Sequence, residues 1–361
     1  MNNTTAENYT NKILLKGNEA AVYGALLAGC DCFFGYPITP ASEIAHAAAL
    51  LFPRLGRVFV QAESETAAIN MVMGASATGR RVMTASSGLG ISLKQEGVSY
   101  LAGSELPAVI IDVMRGGPGL GNIGPEQSDY NQVIKGGGHG NYRCIVLSPN
   151  SAQEMCEMTM TAFDLAEKYR TPVYVLTDGL VGQMLESVEL PEPRPQQQLP
   201  SWALNGVKNS RNNYITSIFL EYDELEAVNL KLCAKYRAIE AAEQRQENYY
   251  TDDAELVIIA YGIVSRLART AVQRMRRDGL KVGLLRPRTL FPFPKTAIRA
   301  LAAPQLLCIE MSNGQMVDDV KLTVNCGKPV HFYNRMGGNT PSVEEIINKC
   351  HSVFAGKSEA Y

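Results

Sequence analysis

A threonine held between two prolines is the first candidate for chemistry in this sequence, at Thr39 in the turn Tyr36–Pro40. The turn follows a short apolar run at 32–34 and precedes apolar residues with helical spacing at 44–51, which predicts strand, turn and helix. Prolines have a fixed φ and restrict the preceding residue, so the turn is stiff. Because α/β proteins bind ligands at the carboxyl ends of parallel strands, we expect Thr39 to contact a ligand. The other interpretation is a plain turn residue or helix cap.

Two glutamates, Glu63 and Glu65, lie in the first turn of a predicted helix that covers residues 63–78. Acidic side chains at that place complement the helix dipole, worth roughly 0.3–1 kcal/mol each, and need no other explanation. However, this helix carries no further charge before Arg80. A carboxylate at the start of an apolar helix is expected to be partly shielded from water, which suits a group that shares a proton with a ring nitrogen.

Arg115 directly follows a β-branched run at 108–114, which predicts a strand buried on both faces. A guanidinium at the carboxyl end of a strand suits bidentate capture of a carboxylate. The alternatives are a solvated arginine and an ion pair with a loop acid such as Glu126 or Asp129.

A glycine-rich stretch at 116–140 follows Arg115. Loops of that length in compact domains usually serve a function. The stretch contains G-x-G-x-x-G at 119–124, but Pro125 follows and no helical pattern begins, whereas a dinucleotide site needs a helix there. A flexible loop over a site is therefore the favoured interpretation.

A shorter turn, Ser86-Ser87-Gly88, follows a predicted strand at 82–85. It either cradles a ligand or only turns the chain.

Strand and helix patterns alternate from residue 12 to residue 190, which predicts a doubly wound parallel sheet. Four prolines between 191 and 200 indicate a linker, and a charged helix is predicted at 222–249. The alternation resumes near residue 255. We therefore expect three parts, namely a domain at 12–190, a linker with a helix at 191–250, and a smaller α/β domain at 251–355.

The composition of the chain argues against several classes of function. The net charge of −2 provides no electrostatic basis for binding nucleic acid or an anionic membrane. No apolar run approaches the roughly 20 residues that cross a bilayer, and the polar amino terminus is unlike a signal peptide. The 8 cysteines form no C-x-x-C pair and the 4 histidines have no metal-ligand spacing, so we expect core cysteines in a reduced cytoplasm and no iron–sulfur cluster on this chain.

Taken together, these motifs resemble a known family. Tyr36–Ser42, the helix start Glu63-Ser64-Glu65, the turn Thr84–Gly88 and the segment Asp112–Pro118 occur in this order in the α-type subunit of 2-oxo acid:ferredoxin oxidoreductases. The segment Ser312–Met316 follows a strand, as in that subunit's second domain. The resemblance covers nearly the whole chain except 196–250.

The resemblance implies a thiamine diphosphate enzyme, with this chain supplying the pyrimidine-binding domain and a transketolase-C-terminal-like domain. The family's catalytic glutamate falls on Glu65, with Glu63 as the alternative. In such enzymes, a carboxyl group bonded to the pyrimidine N1′ favours the imino tautomer, which then takes the proton from the thiazolium carbon. Thr39 and Arg115 match the positions that bind the substrate carboxylate.

The cofactor-binding positions implied by the resemblance are Glu65, Pro37, Ile38, Ser87 and Gly88. The G-D-G pattern that holds magnesium and diphosphate is missing, and the nearest segment, Thr177-Asp178-Gly179, departs from it. The diphosphate and Mg²⁺ site is therefore expected on a β-type partner subunit, and the iron–sulfur clusters on γ- and ferredoxin-like subunits. Ferredoxin would take the electrons and coenzyme A the acyl group.

The expected function is that of a catalytically incomplete subunit in the oxidative decarboxylation of a branched-chain 2-oxo acid, 2-oxoisovalerate. The glycine-rich loop at 116–140 resembles that type more than the pyruvate type. A 2-oxoglutarate enzyme is the close alternative. A non-oxidative thiamine enzyme and a non-catalytic scaffold subunit also remain open.

Overall fold

The computed structural model describes residues 12–195, 198–325 and 327–361. The polar segment 1–11, two glutamines of the predicted linker and Cys326 lie outside the described residues. The described strands are β1 (Lys12–Lys16), β2 (Cys32–Gly35), β3 (Val58–Gln61), β4 (Val82–Ser86), β5 (Ala108–Met114), β6 (Ile145–Leu147), β7 (Pro172–Asp178), β8 (Leu185–Glu189), β9 (Gln246–Tyr249), β10 (Leu256–Ile259), β11 (Val282–Pro287), β12 (Thr289–Phe291), β13 (Gln305–Glu310) and β14 (Val330–Asn334).

The described helices alternate with these strands. They are α1 (Gly17–Leu27), α2 (Ser42–Arg54), α3 (Glu65–Ala77), α4 (Leu89–Gly103), α5 (Tyr130–Ile134), α6 (Ala152–Tyr169), α7 (Gly179–Gln183), α8 (Tyr222–Ala242), α9 (Gly262–Arg277), α10 (Lys295–Ala300), α11 (Gln315–Val324) and α12 (Val343–Phe354). None of the helices within the described ranges is long and apolar enough to cross a membrane.

A seven-stranded sheet forms the larger part, in the order β12-β6-β7-β5-β4-β2-β3. All neighbours are parallel except the pair of β12 and β6. Every residue of β5 is buried, as the β-branched run predicts. Helix α1 packs on α2 and α6, and α3 packs on α4, which gives the two helical layers of the doubly wound sheet that the sequence predicts.

A five-stranded sheet, β14-β13-β10-β11-β9, forms the smaller part. It is parallel except at its edge, where β9 pairs with β11 in the antiparallel sense. The helix predicted at 222–249 therefore ends at Ala242, since residues 246–249 are drawn into the sheet as β9. Strand β12 was not predicted either, because three residues carry no readable period.

The two sheets are joined at buried carboxylates. Asp178, at the end of β7, accepts hydrogen bonds from the backbone N–H of Val181 at 3.0 Å and of Ile263 at 2.8 Å. It thereby caps α7 in the first part and α9 in the second. The segment Thr177-Asp178-Gly179, which departs from the magnesium-binding pattern, therefore has a structural explanation. Its aspartate caps the amino termini of two helices.

Candidate functional site

The predicted site residues follow four strands that are consecutive in the larger sheet, β3, β2, β4 and β5. Glu65 comes after β3, Thr39 after β2, Ser87 and Gly88 after β4, and Arg115 after β5. Because the carboxyl ends of parallel strands meet at one edge, the structure brings these residues together.

Glu65 is the first residue of α3, and the Ser64 hydroxyl caps that helix by accepting from the Ala67 N–H at 3.1 Å. Glu65 is only 5% exposed, whereas Glu63 is exposed. The Glu65 carboxylate makes no side-chain hydrogen bond within the described ranges. A buried carboxylate without a partner is costly, so this group is poised for a ligand.

Gly90, in the first turn of α4, leaves room for this carboxylate. A Cβ at that position would lie 2.5 Å from Glu65 Oε1 and would also overlap the Ser86 hydroxyl. Any side chain at residue 90 would displace the glutamate, so α4 can begin this close to α3 only with glycine there.

Thr39 and Arg115 are in direct contact, but not through the threonine side chain. Arg115 Nη1 donates to the Thr39 carbonyl oxygen at 2.9 Å, and Nη2 donates to the Leu120 carbonyl oxygen at 3.2 Å. The guanidinium therefore ties the turn after β2 to the glycine-rich loop. Pro37 and Ile38, in the same turn, are half-buried.

The alternative ion pair of Arg115 with a loop acid is not formed within the described part of the chain. Glu126 instead accepts from the backbone N–H groups of Gly117 at 2.8 Å and Gly337 at 2.7 Å. These bonds, and the Asn122 side chain donating to the Gly337 carbonyl at 3.1 Å, fix the glycine-rich loop to the second part of the molecule.

Ser87 and Gly88 connect β4 to α4. Gly88 has φ of 48°, a left-handed conformation that favours glycine, and its Cα faces the Arg115 side chain. The hydroxyls of Ser86 and Ser87 are buried and have no partner among the described residues. This turn therefore presents unpaired polar groups between Glu65 and Arg115.

A cavity of about 450 Å³ opens beside Arg115 between the two parts of the molecule. Its lining includes the turn at 88–89, the glycine-rich loop, the segment Ser312-Asn313 and Met336. Among the described lining residues, Arg115 is the only basic one, and Glu126 and Asp129 are the acids.

Two further buried carboxylates, which sequence reasoning did not single out as functional, interact electrostatically at this edge of the sheet. Asp129 lines the cavity, and Asp112 is fully buried at the end of β5, with neither oxygen bonded in the described part. Burial raises the pKa of Asp129 to about 6, and burial and the charge of Asp129 raise the pKa of Asp112. For Asp112, the available signal in the sequence was an acidic residue within a run of β-branched residues.

Lys94 is a third residue that sequence reasoning missed. It lies on α4 and is fully buried, and burial lowers the pKa of its ammonium group to about 8, while the charge of Glu65 opposes that shift. The available signal was a lysine between Gly90 and Gly97 on one helix face.

These features fit one half of a thiamine diphosphate site. The buried, unpartnered Glu65 carboxylate offers a partner to a ring nitrogen, and the cavity opens at the same edge of the sheet, beside Arg115. Within the described ranges, no group of three or more His, Cys, Asp or Glu side chains could hold a metal ion.

Comparison with known proteins identifies the family. A family described as "Pyruvate flavodoxin/ferredoxin oxidoreductase, thiamine diP-bdg" matches residues 23–249, and "Pyruvate:ferredoxin oxidoreductase core domain II" matches residues 254–346. The ketoisovalerate oxidoreductase subunit VorB of Methanothermobacter marburgensis is 59% identical over 96% of this chain and 98% of its own. The 2-oxoglutarate synthase subunit KorA of Methanothermobacter thermautotrophicus is 40% identical over 94% of this chain and 98% of its own.

A solved structure agrees with these relatives. The 2-oxoglutarate:ferredoxin oxidoreductase of Magnetococcus marinus, with 2-oxoglutarate, coenzyme A and succinyl-CoA bound, superposes with a TM-score of 0.87 at 29% identity. The match covers 96% of this chain and 66% of that one, so this chain spans about two thirds of it. The predicted fold, with a thiamine diphosphate-binding sheet and a smaller transketolase-like part, is thereby confirmed. This chain belongs to the 2-oxo acid:ferredoxin oxidoreductases, oxidoreductases that act on 2-oxo acids with thiamine diphosphate.

Proposed function

We propose that this chain is the subunit of a 2-oxoisovalerate:ferredoxin oxidoreductase that holds the pyrimidine half of thiamine diphosphate and the carboxylate of the oxo acid. The observation that carries the proposal is the Glu65 carboxylate, which is 5% exposed, has no hydrogen-bond partner in the described chain and lies at the same sheet edge as Arg115. The subunit alone is catalytically incomplete.

Glu65 would bond to the ring nitrogen N1′ of the cofactor and share one proton with it. Its position at the helix start fixes the carboxylate, and its burial keeps water from competing for that bond. Thiamine diphosphate, when bound, supplies the carbon nucleophile and the electron sink for decarboxylation. Pro37, Ile38, Ser87 and Gly88 would shape the wall around the ring.

Arg115 would bind the substrate carboxylate. Two of its five N–H donors are occupied by the carbonyl oxygens of Thr39 and Leu120, which hold the guanidinium plane in place. The remaining donors are available for a carboxylate at the cavity, and the Thr39 hydroxyl would complete the contact. Orientation of this kind brings the oxo carbon to the reacting atom.

The charge of the cavity favours a monocarboxylate. A 2-oxoglutarate molecule carries a second carboxylate, which would need a second cation, and the described lining offers only Arg115 together with the acids Glu126 and Asp129. The apolar side chains of Leu89 and Met336 suit a branched aliphatic end. Greater similarity to a ketoisovalerate oxidoreductase subunit than to a 2-oxoglutarate synthase subunit points the same way.

Partner subunits would complete the site. We infer a β-type subunit with the diphosphate and Mg²⁺ site, and γ- and ferredoxin-like subunits with iron–sulfur clusters, in a cytoplasmic complex that uses coenzyme A and ferredoxin. Apolar side chains are exposed around the site, with Leu93 at 52%, Leu120 at 80% and Ile123 at 63%. An exposed apolar rim next to an incomplete site is typical of a subunit interface. We also propose that 12–190 and 251–355 are separate domains joined through 191–250.

Reconstitution of the complex tests the function. Coenzyme A-dependent reduction of a viologen dye is measured with 2-oxoisovalerate, 2-oxoglutarate and pyruvate, and we expect the highest kcat/KM for 2-oxoisovalerate. A preference for 2-oxoglutarate would shift the proposal to that enzyme. Decarboxylation without dye reduction would indicate a non-oxidative thiamine enzyme, and full activity of a Glu65→Ala complex would indicate a scaffold subunit.

A further inference from the structure

A buried ammonium group lies on the helix that packs against Glu65, and the proposed function does not use it. Lys94 has no exposed surface, and its Nζ has no hydrogen-bond partner among the residues that the structure describes. Lysine is almost never fully buried unless it is paired, since its charge must leave water. A lysine in this position therefore needs a physical explanation.

The packing of α3 on α4 places Lys94 beside the glutamate. Gly90, Lys94 and Gly97 lie on one face of α4, because residues four and three apart are neighbours on a helix. A Cβ at Gly90 would lie 2.5 Å from Glu65 Oε1, and one at Gly97 would lie 2.5 Å from Ile69 Cγ2. Lys94 lies between these two contacts, in the interface that the glycines bring close.

Glu65 is the charge that acts on this ammonium group. Burial lowers the pKa of Lys94 to about 8, and the Glu65 charge works in the opposite direction. Buried titratable groups around α4 include Asp112 and Asp129 near its start, Tyr174 on β7, and Tyr142, whose hydroxyl donates to Gln95 Oε1. Their pKa values are all raised by burial, that of Asp129 to about 6.

We propose that Lys94 is a positioning residue whose charge acts on the Glu65 carboxylate and so places the shared proton on the N1′ atom of the cofactor ring. One proton lies between the carboxylate oxygen and N1′, and a cation beside the carboxylate favours the arrangement in which the oxygen is negative and the nitrogen carries the proton. The effect is large in a dry interface, where charges are weakly screened. This inference rests on the proposed role of Glu65.

The test replaces the ammonium group with an uncharged chain of similar length, Lys94→Met, in the reconstituted complex. Thiamine diphosphate labelled with ¹⁵N at N1′ reports the proton directly through its nitrogen chemical shift. We expect N1′ to be protonated in the wild-type complex and to shift toward the unprotonated value in Lys94→Met. A tenfold change in the proton equilibrium corresponds to about one pKa unit. We expect kcat to fall by about tenfold or more in Lys94→Met, with KM for the oxo acid unchanged.

Lys281→Met is the matched control, since Lys281 forms a Lys–Glu pair with Glu255 at 3.9 Å with both side chains exposed. It should leave the N1′ signal and kcat unchanged. A second measurement follows the pH dependence of the wild-type complex. Raising the pH of the wild-type complex from 7 to 9 should titrate Lys94 and move the N1′ signal, and this titration should be missing in Lys94→Met.

An unchanged N1′ signal in Lys94→Met, or a wild-type signal that is independent of pH over this range, would overturn the inference. Glu65→Gln separates this failure from failure of the proposed function. If Glu65→Gln alters the N1′ signal while Lys94→Met does not, only the role of Lys94 is wrong. If neither variant alters it, the proposed role of Glu65 is wrong as well.

Discussion

Two regions of this molecule use buried carboxylates in opposite ways. At the joint between the sheets, Asp178 and Glu310 are fully buried, and each accepts hydrogen bonds from the backbone N–H groups of a helix start. At the site, Glu65 is 5% exposed and makes no side-chain hydrogen bond in the described chain, and Asp112 is fully buried with neither oxygen bonded there.

The difference separates structural acids from functional ones. A buried carboxylate with two or more N–H donors is satisfied and stabilises the fold, whereas one without donors costs stability and is kept for another reason. The unsatisfied groups cluster at the edge that we propose to hold the cofactor. Under the proposed function, burial without satisfaction marks the surface that cofactor and partner complete.

Removing the unsatisfied glutamate should have the largest effect on activity. We expect Glu65→Ala to lower kcat of the reconstituted complex by about 10²–10⁴-fold, because the ring nitrogen loses the group that shares its proton. Viologen reduction measures this loss.

Glu63→Ala is the matched control, because Glu63 is two residues away and exposed. It should retain wild-type activity. Loss of activity in Glu63→Ala with activity kept in Glu65→Ala would assign the catalytic role to the other glutamate.

The satisfied region should respond in the opposite way. Asp178→Ala leaves the N–H groups of Val181 and Ile263 without their partner in a buried place, so we expect the free energy of unfolding to fall by about 4 kcal/mol. Chemical denaturation measures this loss. Asp253→Ala, which removes an exposed acid paired with Arg276, is the control and should leave the free energy of unfolding nearly unchanged. Equal losses of stability in Asp178→Ala and Asp253→Ala would contradict the structural role assigned to Asp178.

Lys94→Met should stabilise the fold at pH 7 by about 3 kcal/mol, because the folded state holds that proton with a pKa of about 8 against an ordinary value of 10.5. The unfolded chain binds the proton more tightly, so wild-type stability should increase with pH between about 8 and 10.5. The variant should lack this increase. Chemical denaturation at several pH values measures this dependence of stability on pH. If Lys94→Met is less stable than the wild type at pH 7, the buried charge of Lys94 does not destabilise the fold.

The smallest effect is expected from a change of geometry alone. Arg115→Lys keeps the charge but loses the fork that spans the Thr39 and Leu120 carbonyls, so we expect kcat/KM for the oxo acid to fall about tenfold. Arg80→Lys, at an exposed ion pair with Asp31, is the control and should leave kcat/KM for the oxo acid unchanged. A wild-type kcat/KM in Arg115→Lys would remove this residue from the carboxylate site.

Much of the fold was predictable from local pattern. The buried strand β5 and the alternation of strands and helices were read correctly, since the period of apolar residues acts over a few residues. The short strands β9 and β12 were not, because β9 is polar and each is held by antiparallel pairing with a strand that is distant in the sequence.

The sequence by itself determined which side chains end the strands β2 to β5, and so that Thr39, Glu65, Ser87 and Arg115 share one edge. Parallel order forces that outcome once the alternating pattern is established. Only the tertiary structure decided what these groups meet. Arg115 bonds to backbone carbonyls instead of a loop acid, and α4 with its buried Lys94 packs close to Glu65 because Gly90 leaves room for the carboxylate. Contacts of that kind depend on helix separation to within about the size of a methyl group, which no local pattern encodes.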